Sequence, residues 1–198
     1  MSKLSKKKVI GITGSMGSGK SEVKRYLSNF YSVLDCDKVN AILLEKGQAG
    51  YEQLKKMGIL EFDSDMNIDK EKLAKYMFSD NEHKKLVENV LHPLIFEYMN
   101  HWIKEQKDGL VFIEMPLLFE IQAQRNFDSI WCVVTDQNIA LARLQEYRNF
   151  TYEQAIARLS HQMDPKLKMK QSHIVLKNNG TKQELYTQIQ EALQKEVL

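Results

Sequence analysis

The run Gly14-Ser15-Met16-Gly17-Ser18-Gly19-Lys20-Ser21 has the spacing of a phosphate-binding loop, with a glycine, four residues, a second glycine, a lysine and a hydroxyl. Its glycines let the backbone wrap closely, so that consecutive N–H groups can point at the β-phosphate. Lys20 supplies a point charge for the outer phosphates of a nucleoside triphosphate, and the Ser21 hydroxyl supplies a ligand for Mg²⁺. A helix starting at Lys20 adds the positive end of its dipole. Lys20 is expected at a surface loop. The bland alternative is a glycine-rich turn, but the loop follows a β-branched run and precedes an amphipathic helix, as a phosphate site requires. The N/T-K-x-D pattern that reads guanine is missing, since Asn178-Asn179-Gly180 has no Lys-x-Asp after it. A nucleotide-hydrolysing GTP switch is therefore disfavoured.

A second group of candidates is acidic. Asp35-Cys36-Asp37 ends a predicted strand, the edge where open α/β sheets place ligands. If the strand continues, the two carboxylates share a face. One can then orient an acceptor while the other takes its proton. As a plain alternative, both aspartates cap the next helix, near Lys38–Leu44, and spacing does not separate the two readings. His92 precedes Pro93 and serves equally well as a helix-end residue or a substrate contact. Pro116-Leu117-Leu118-Phe119-Glu120 reads on composition as a buried strand-to-loop turn. Arg148 and Arg158 lie on polar helices, where arginines are usually solvated. His83, His101 and His161 have no partner at ligand spacing.

Short β-branched runs alternate with helical patterns. Predicted strands are Lys8–Thr13, Ser32–Asp35, Leu110–Met115, Ser129–Thr135 and His173–Lys177. Continuous apolar runs such as Val111-Phe112-Ile113 suit strands covered on both faces. Val23, Tyr26, Leu27 and Phe30 form one face of the helix beginning at Lys20. Thr151 with Gln154, and Thr181 with Glu184, form capping-box patterns. The alternation predicts a three-layer α/β/α sandwich around a five-stranded parallel sheet. A helical insertion over about 38–107 interrupts it. There, Ser79 and Glu82 open one helix, and Pro93 ends it and starts another. A polar, Arg- and Lys-rich stretch over about 147–170 forms a second insertion. The nucleotide-binding core then comprises about 8–37, 108–146 and 171–198.

At 198 residues, 43% hydrophobic and 27% charged, the composition is that of one globular domain. The net charge of +2 decides little, because Lys3, Lys6, Lys7 and Lys8 crowd the first eight residues as a solvated tail. No nucleic-acid partner is expected. No apolar run nears the roughly 20 residues of a membrane span, and the segment before the glycine loop lacks a signal peptide's apolar core. Cys36 and Cys132 make neither a disulfide framework nor a metal cluster. A cytoplasmic monomer is the default.

Taken together, these motifs resemble the dephospho-CoA kinase family over essentially the whole chain. The resemblance rests on Gly11-Ile12-Thr13-Gly14 with the loop after it, Asp35-Cys36-Asp37, His92-Pro93 and the family-specific Pro116–Glu120. Arg143-Leu144, Arg158, Gln162 and Lys168 fit its lid pattern, and Asn178-Asn179-Gly180 fits its Asn-x-Gly. It implies ATP-dependent phosphorylation of the ribose 3′-hydroxyl of dephospho-CoA, with a nucleotide core, a helical substrate domain, a lid and a central P-loop strand. Asp37 takes the role of base, and Arg143 that of the arginine stabilising the transferring phosphoryl group, beside Lys20. Gly14, Met16, Gly17, Ser18, Gly19, Lys20, Ser21, Asn178 and Gly180 are the expected nucleotide contacts. Asp35, His92, Pro116, Leu117, Leu118, Glu120, Arg148 and Arg158 are the expected substrate contacts. The chain departs from the family at Glu114, Ser172-His173 and Lys177. The rival readings are another small-molecule or nucleotide kinase on this scaffold, and a non-catalytic ATP-binding regulator.

Overall fold

The computed structural model describes residues 7–197. Lys3 and Lys6 of the basic N-terminal cluster lie outside them. Five strands form one sheet: β1 (Lys8–Gly14), β2 (Ser32–Asp35), β3 (Leu110–Glu114), β4 (Ser129–Val134) and β5 (Ile174–Lys177). Their order is β2-β3-β1-β4-β5, with β1 in the centre. β1 runs parallel to β3, with Ile10 opposite Phe112, and to β4, with Ile12 opposite Trp131. β4 runs parallel to β5, and the whole sheet is parallel. Each strand lies within one residue of its expected bounds at either end.

Helices cover the sheet, which explains the unbroken apolar runs. Ile10, Ile12, Phe112, Trp131 and Val133 are buried with Val23 and Leu27 of α1 (Lys20–Leu27). Leu185, Ile189 and Ala192 of α9 (Lys182–Val197) join the same core. Trp131 and Phe112 meet edge to face with ring centres 5.3 Å apart, and burying each large side chain contributes about 2–3 kcal/mol. The expected face of α1 loses its last member, which lies three residues past the helix. The helix stops at Leu27, its end tightened by Phe30 N–H donating to Leu27 O, and Phe30 is 66% exposed.

Residues 35–106 cluster as a separate compact unit. It contains α2 (Cys36–Leu43), α3 (Ala49–Lys56), α4 (Lys70–Ser79) and α5 (Asn81–Glu105) around Tyr51, Leu54, Leu73, Val87 and Leu91. Two local expectations fail here. α5 runs unbroken for 25 residues through Pro93. Proline costs that helix one amide bond, yet Leu91 before it and Met99 after it are both buried, so packing on either side outweighs the loss. The cap of α5 is Asp80, whose carboxylate accepts from Glu82 N–H at 3.0 Å. Ser79 instead closes α4, its hydroxyl donating back to Tyr76 O. Beside the sheet, residues 107–198 add a 3-10 turn at Ala123–Asn126 and three further helices: α6 (Gln137–Arg148), α7 (Tyr152–Ser160) and α8 (Pro165–Gln171). Both capping boxes form, Thr151 with Gln154 and Thr181 with Glu184.

Candidate active site

β1 delivers the chain into the phosphate loop at Gly14, whose φ is +147°. A Cβ there would lie 2.2 Å from Val133 O. At Gly19, φ is +96° and a Cβ would lie 1.9 Å from Asn178 Nδ2. Both positions therefore demand glycine for backbone angle and for space. Lys20 departs from its expected setting: it is only 9% exposed, and Nζ donates to Gly14 O at 2.9 Å and Ser15 O at 3.0 Å. A buried ammonium needs such acceptors, and the loop's own carbonyls provide them. Ser21 is exposed in the first turn of α1, whereas Ser18 is buried with its hydroxyl unpartnered.

Residues far along the chain hold this loop in shape. Asn178 Nδ2 donates to Ser18 O at 2.9 Å. Arg143, from α6, donates to Gly17 O at 3.3 Å and to Asn178 O at 3.1 Å. Asn179 escaped the sequence reading as a site residue. Its Oδ1 accepts from Thr135 Oγ1 and Asp136 N–H, joining the carboxyl ends of β4 and β5. The clue available was the readiness of asparagine side chains to bond nearby backbone. Gly180 is exposed and leads into the Thr181 cap.

The connection between α7 and α8 reaches the loop from another side. Met16 N–H donates to Gln162 Oε1 at 2.9 Å. Met163 N–H donates to Glu120 Oε1 at 3.1 Å, and Lys168 Nζ lies 2.7 Å from the same oxygen. Lys168 also donates to Pro116 O, which in turn accepts from Thr13 Oγ1. Glu120 Oε2 is buried without a hydrogen-bond partner. Within Pro116–Glu120, Leu117 is 39% exposed whereas Leu118 is wholly buried. Leu118 is thus core packing, and its side chain offers no surface to a substrate.

Asp35, Asp37 and His92 belong to the unit of residues 35–106. The strand does not continue past Asp35, so the two carboxylates do not share a strand face. Asp35 is the N-cap of α2, accepting from Lys38 N–H at 3.1 Å, and Asp37 lies exposed in the first turn. His92 is half-buried on α5. Burial holds its pKa below the ordinary histidine value, with Glu88 opposing and Lys84 assisting. Arg148 is exposed at the end of α6, and Arg158 stacks over the Phe150 ring at 4.5 Å. Glu114 forms a 2.7 Å ion pair with Lys24. His173 Nδ1 accepts from Ile130 N–H, and Lys177 exchanges backbone bonds with the Gln188 side chain.

A cavity of about 590 Å³ opens beside the loop, lined by Met16, Ser18, Ala140, Ile156, Leu159, Met169 and Asn179 among others. That size and mixed lining suit a nucleotide. The loop fits phosphate as well: where side chains would stand at 14 and 19 it has only backbone, and it opens the helix that carries Lys20 and Ser21. Among the described residues no three His, Cys, Asp or Glu side chains group as metal ligands. No helix among them is long and apolar enough to cross a membrane.

Comparison with known proteins gives the same answer. The family model described as dephospho-CoA kinase matches residues 8–184. A dephospho-CoA kinase of Bacillus cereus is 32% identical over 94% of this chain and 96% of its own length. The crystal structure of TT1252 from Thermus thermophilus superposes with a TM-score of 0.86 at 30% identity, covering 98% of this chain and 99% of that one. The Campylobacter jejuni dephospho-CoA kinase gives 0.66 at 27% identity, covering 95% and 98%. Since the matched residues span the phosphate loop, its clamp and all five strands of the sheet, the chain belongs to the dephospho-CoA kinase family.

Proposed function

We propose that this protein transfers the terminal phosphoryl group of ATP to the ribose 3′-hydroxyl of dephospho-CoA, yielding CoA. The carrying observation is the family match over residues 8–184, which includes a loop whose glycines admit phosphate. Phosphoryl transfer asks mainly for positioning and for charge to offset charge on the moving group.

The N–H groups of Met16 to Gly19 bind the phosphates, with Asn178 holding the loop's shape. Lys20 leaves its carbonyl acceptors for the outer phosphates, and Arg143 adds positive charge on the same side. Mg²⁺, held by the Ser21 hydroxyl, would screen the phosphate oxygens. Asp37 accepts the proton of the attacking hydroxyl, and Asp35 fixes the start of the helix that carries it. His92, Pro116, Leu117, Glu120, Arg148 and Arg158 are assigned to the substrate side. Residues 35–106 act as the substrate domain, and 147–170 as a lid that excludes water. The protein works in the cytoplasm.

The test is ADP release with dephospho-CoA, nucleoside monophosphates, nucleosides and shikimate as acceptors, with product masses checked. Dephospho-CoA alone should stimulate turnover and gain one phosphate. Faster turnover of a nucleoside monophosphate would overturn the substrate. No stimulation by any acceptor would favour a non-catalytic ATP-binding regulator.

A further inference from the structure

We infer that Gln162 is a positioning residue that stands in for a phosphate oxygen at the loop and is displaced when nucleotide binds. This rests on the reading of residues 14–21 as an ATP site. The observation is the 2.9 Å bond from Met16 N–H to Gln162 Oε1, made across 146 residues of sequence. The donor belongs to the loop whose amides serve as anion ligands, so the side-chain oxygen takes up an amide that a phosphate oxygen would use. Lys20 is satisfied internally in the same state, by Gly14 O and Ser15 O.

Gln162 has chemistry suited to a placeholder. Its carbonyl oxygen satisfies a partly buried N–H, which would otherwise be costly to leave bare. It carries no charge, so a phosphate oxygen forms the stronger, charge-assisted bond and wins the exchange. A carboxylate here would compete too well and repel the nucleotide. An apolar side chain would leave the amide unsatisfied.

The neighbouring contacts show what the exchange releases. Met163 N–H is bonded to Glu120, and Lys168 pairs with the same carboxylate. The α7–α8 segment is thus attached at two points, and only the Gln162 point competes with phosphate. Nucleotide binding frees that point while 163–168 remains fixed. The end of α7 and the residues up to Gln162 therefore become sensitive to whether the loop is filled.

The experiment titrates ATP, and separately pyrophosphate, into the wild-type chain, Gln162→Met and Gln162→Glu, without dephospho-CoA. Amide hydrogen exchange at Met16 is followed in the ligand-free proteins. Gln162→Met keeps the length and removes the acceptor. It should bind both ligands about two- to tenfold more tightly, the factor of one ordinary hydrogen bond, and Met16 should exchange faster. Gln162→Glu keeps the acceptor and adds charge, so it should bind more weakly than wild type. Equal or weaker binding by Gln162→Met overturns the placeholder role and makes Gln162 a phosphate ligand or a bystander. Failure of the wild-type chain to bind ATP overturns the ATP-site reading itself, which is a separate result.

Discussion

Lys168 Nζ lies 2.7 Å from Glu120 Oε1, with no part of the lysine side chain exposed. The pair joins α8 to the segment that follows β3, and Pro116 O and Met163 N–H complete the network. Removing one member strands the other charge out of water. Lys168→Met should therefore cost about 3–5 kcal/mol of stability. Glu120→Gln should cost less, because the glutamine keeps an amide oxygen that can still accept from Lys168 and from Met163 N–H. The double variant should recover part of the loss. Denaturant midpoints for the two single variants and the double variant check this, and purely additive losses would mean the ion pair is not coupled.

Replacement of Lys20 by Ala should lower turnover roughly 10²–10³-fold, the scale for losing one charge-stabilising group in a transition state. Because Lys20 is buried and bonds two loop carbonyls, stability should also fall, by about 1 kcal/mol. Steady-state kinetics with a thermal melt measures both. A folded Lys20→Ala protein with normal turnover would refute the phosphate-loop assignment.

Asp37 and Asp35 should separate cleanly. Asp37→Asn removes a proton acceptor from an exposed first-turn position, and turnover should drop about 10²–10⁴-fold with ATP binding unchanged. Asp35→Asn should preserve the cap, since asparagine caps as well as aspartate, and should leave most of the activity. Asp35→Ala should cost about 1 kcal/mol through the lost bond to Lys38 N–H. If Asp35→Asn is the less active of the two asparagine variants, the roles are reversed.

Glu196 should shape the acid limb of stability. Burial acts to raise its pKa, but bonds from Lys8, Ser129 and Trp131 outweigh it and hold the carboxyl below its ordinary value. A folded-state pKa below the unfolded one means the contribution is whole at neutral pH. It is lost as pH falls through the depressed folded value, beneath the usual glutamate range. Glu196→Gln should flatten that decline, as read from unfolding free energies at a series of acidic pH values. An unchanged acid limb would show that the carboxylate is not the titrating group.

Strand positions were readable because a sheet covered on both faces leaves unbroken apolar runs, as in Ile130 to Val134. The phosphate loop was readable because its glycines answer to backbone angles, a local property. What sequence missed depended on tertiary packing. Helix α5 passes through Pro93 because Leu91 and Met99 are buried on either side of it. Lys20 is buried because its own loop curls over it, and Leu118 is core although its neighbour Leu117 is not. Asp35 turned out to be a cap, one of two readings that spacing had left equal. Gln162 was visible only as part of a lid pattern, since its bond to Met16 joins positions 146 residues apart.

The bond from Asn178 to Ser18 bears on the order in which the protein comes into being. The clamp of Ser18 is made 160 residues after Ser18 itself. At ordinary translation speeds that interval is roughly 8–30 s. Throughout it the glycine loop is held by neither Asn178 nor, for most of it, Arg143. A ribosome-bound chain still short of β5 therefore presents a loop without its shape-holding clamp. The clamped form of the phosphate loop is consequently available only after Asn178 has been made.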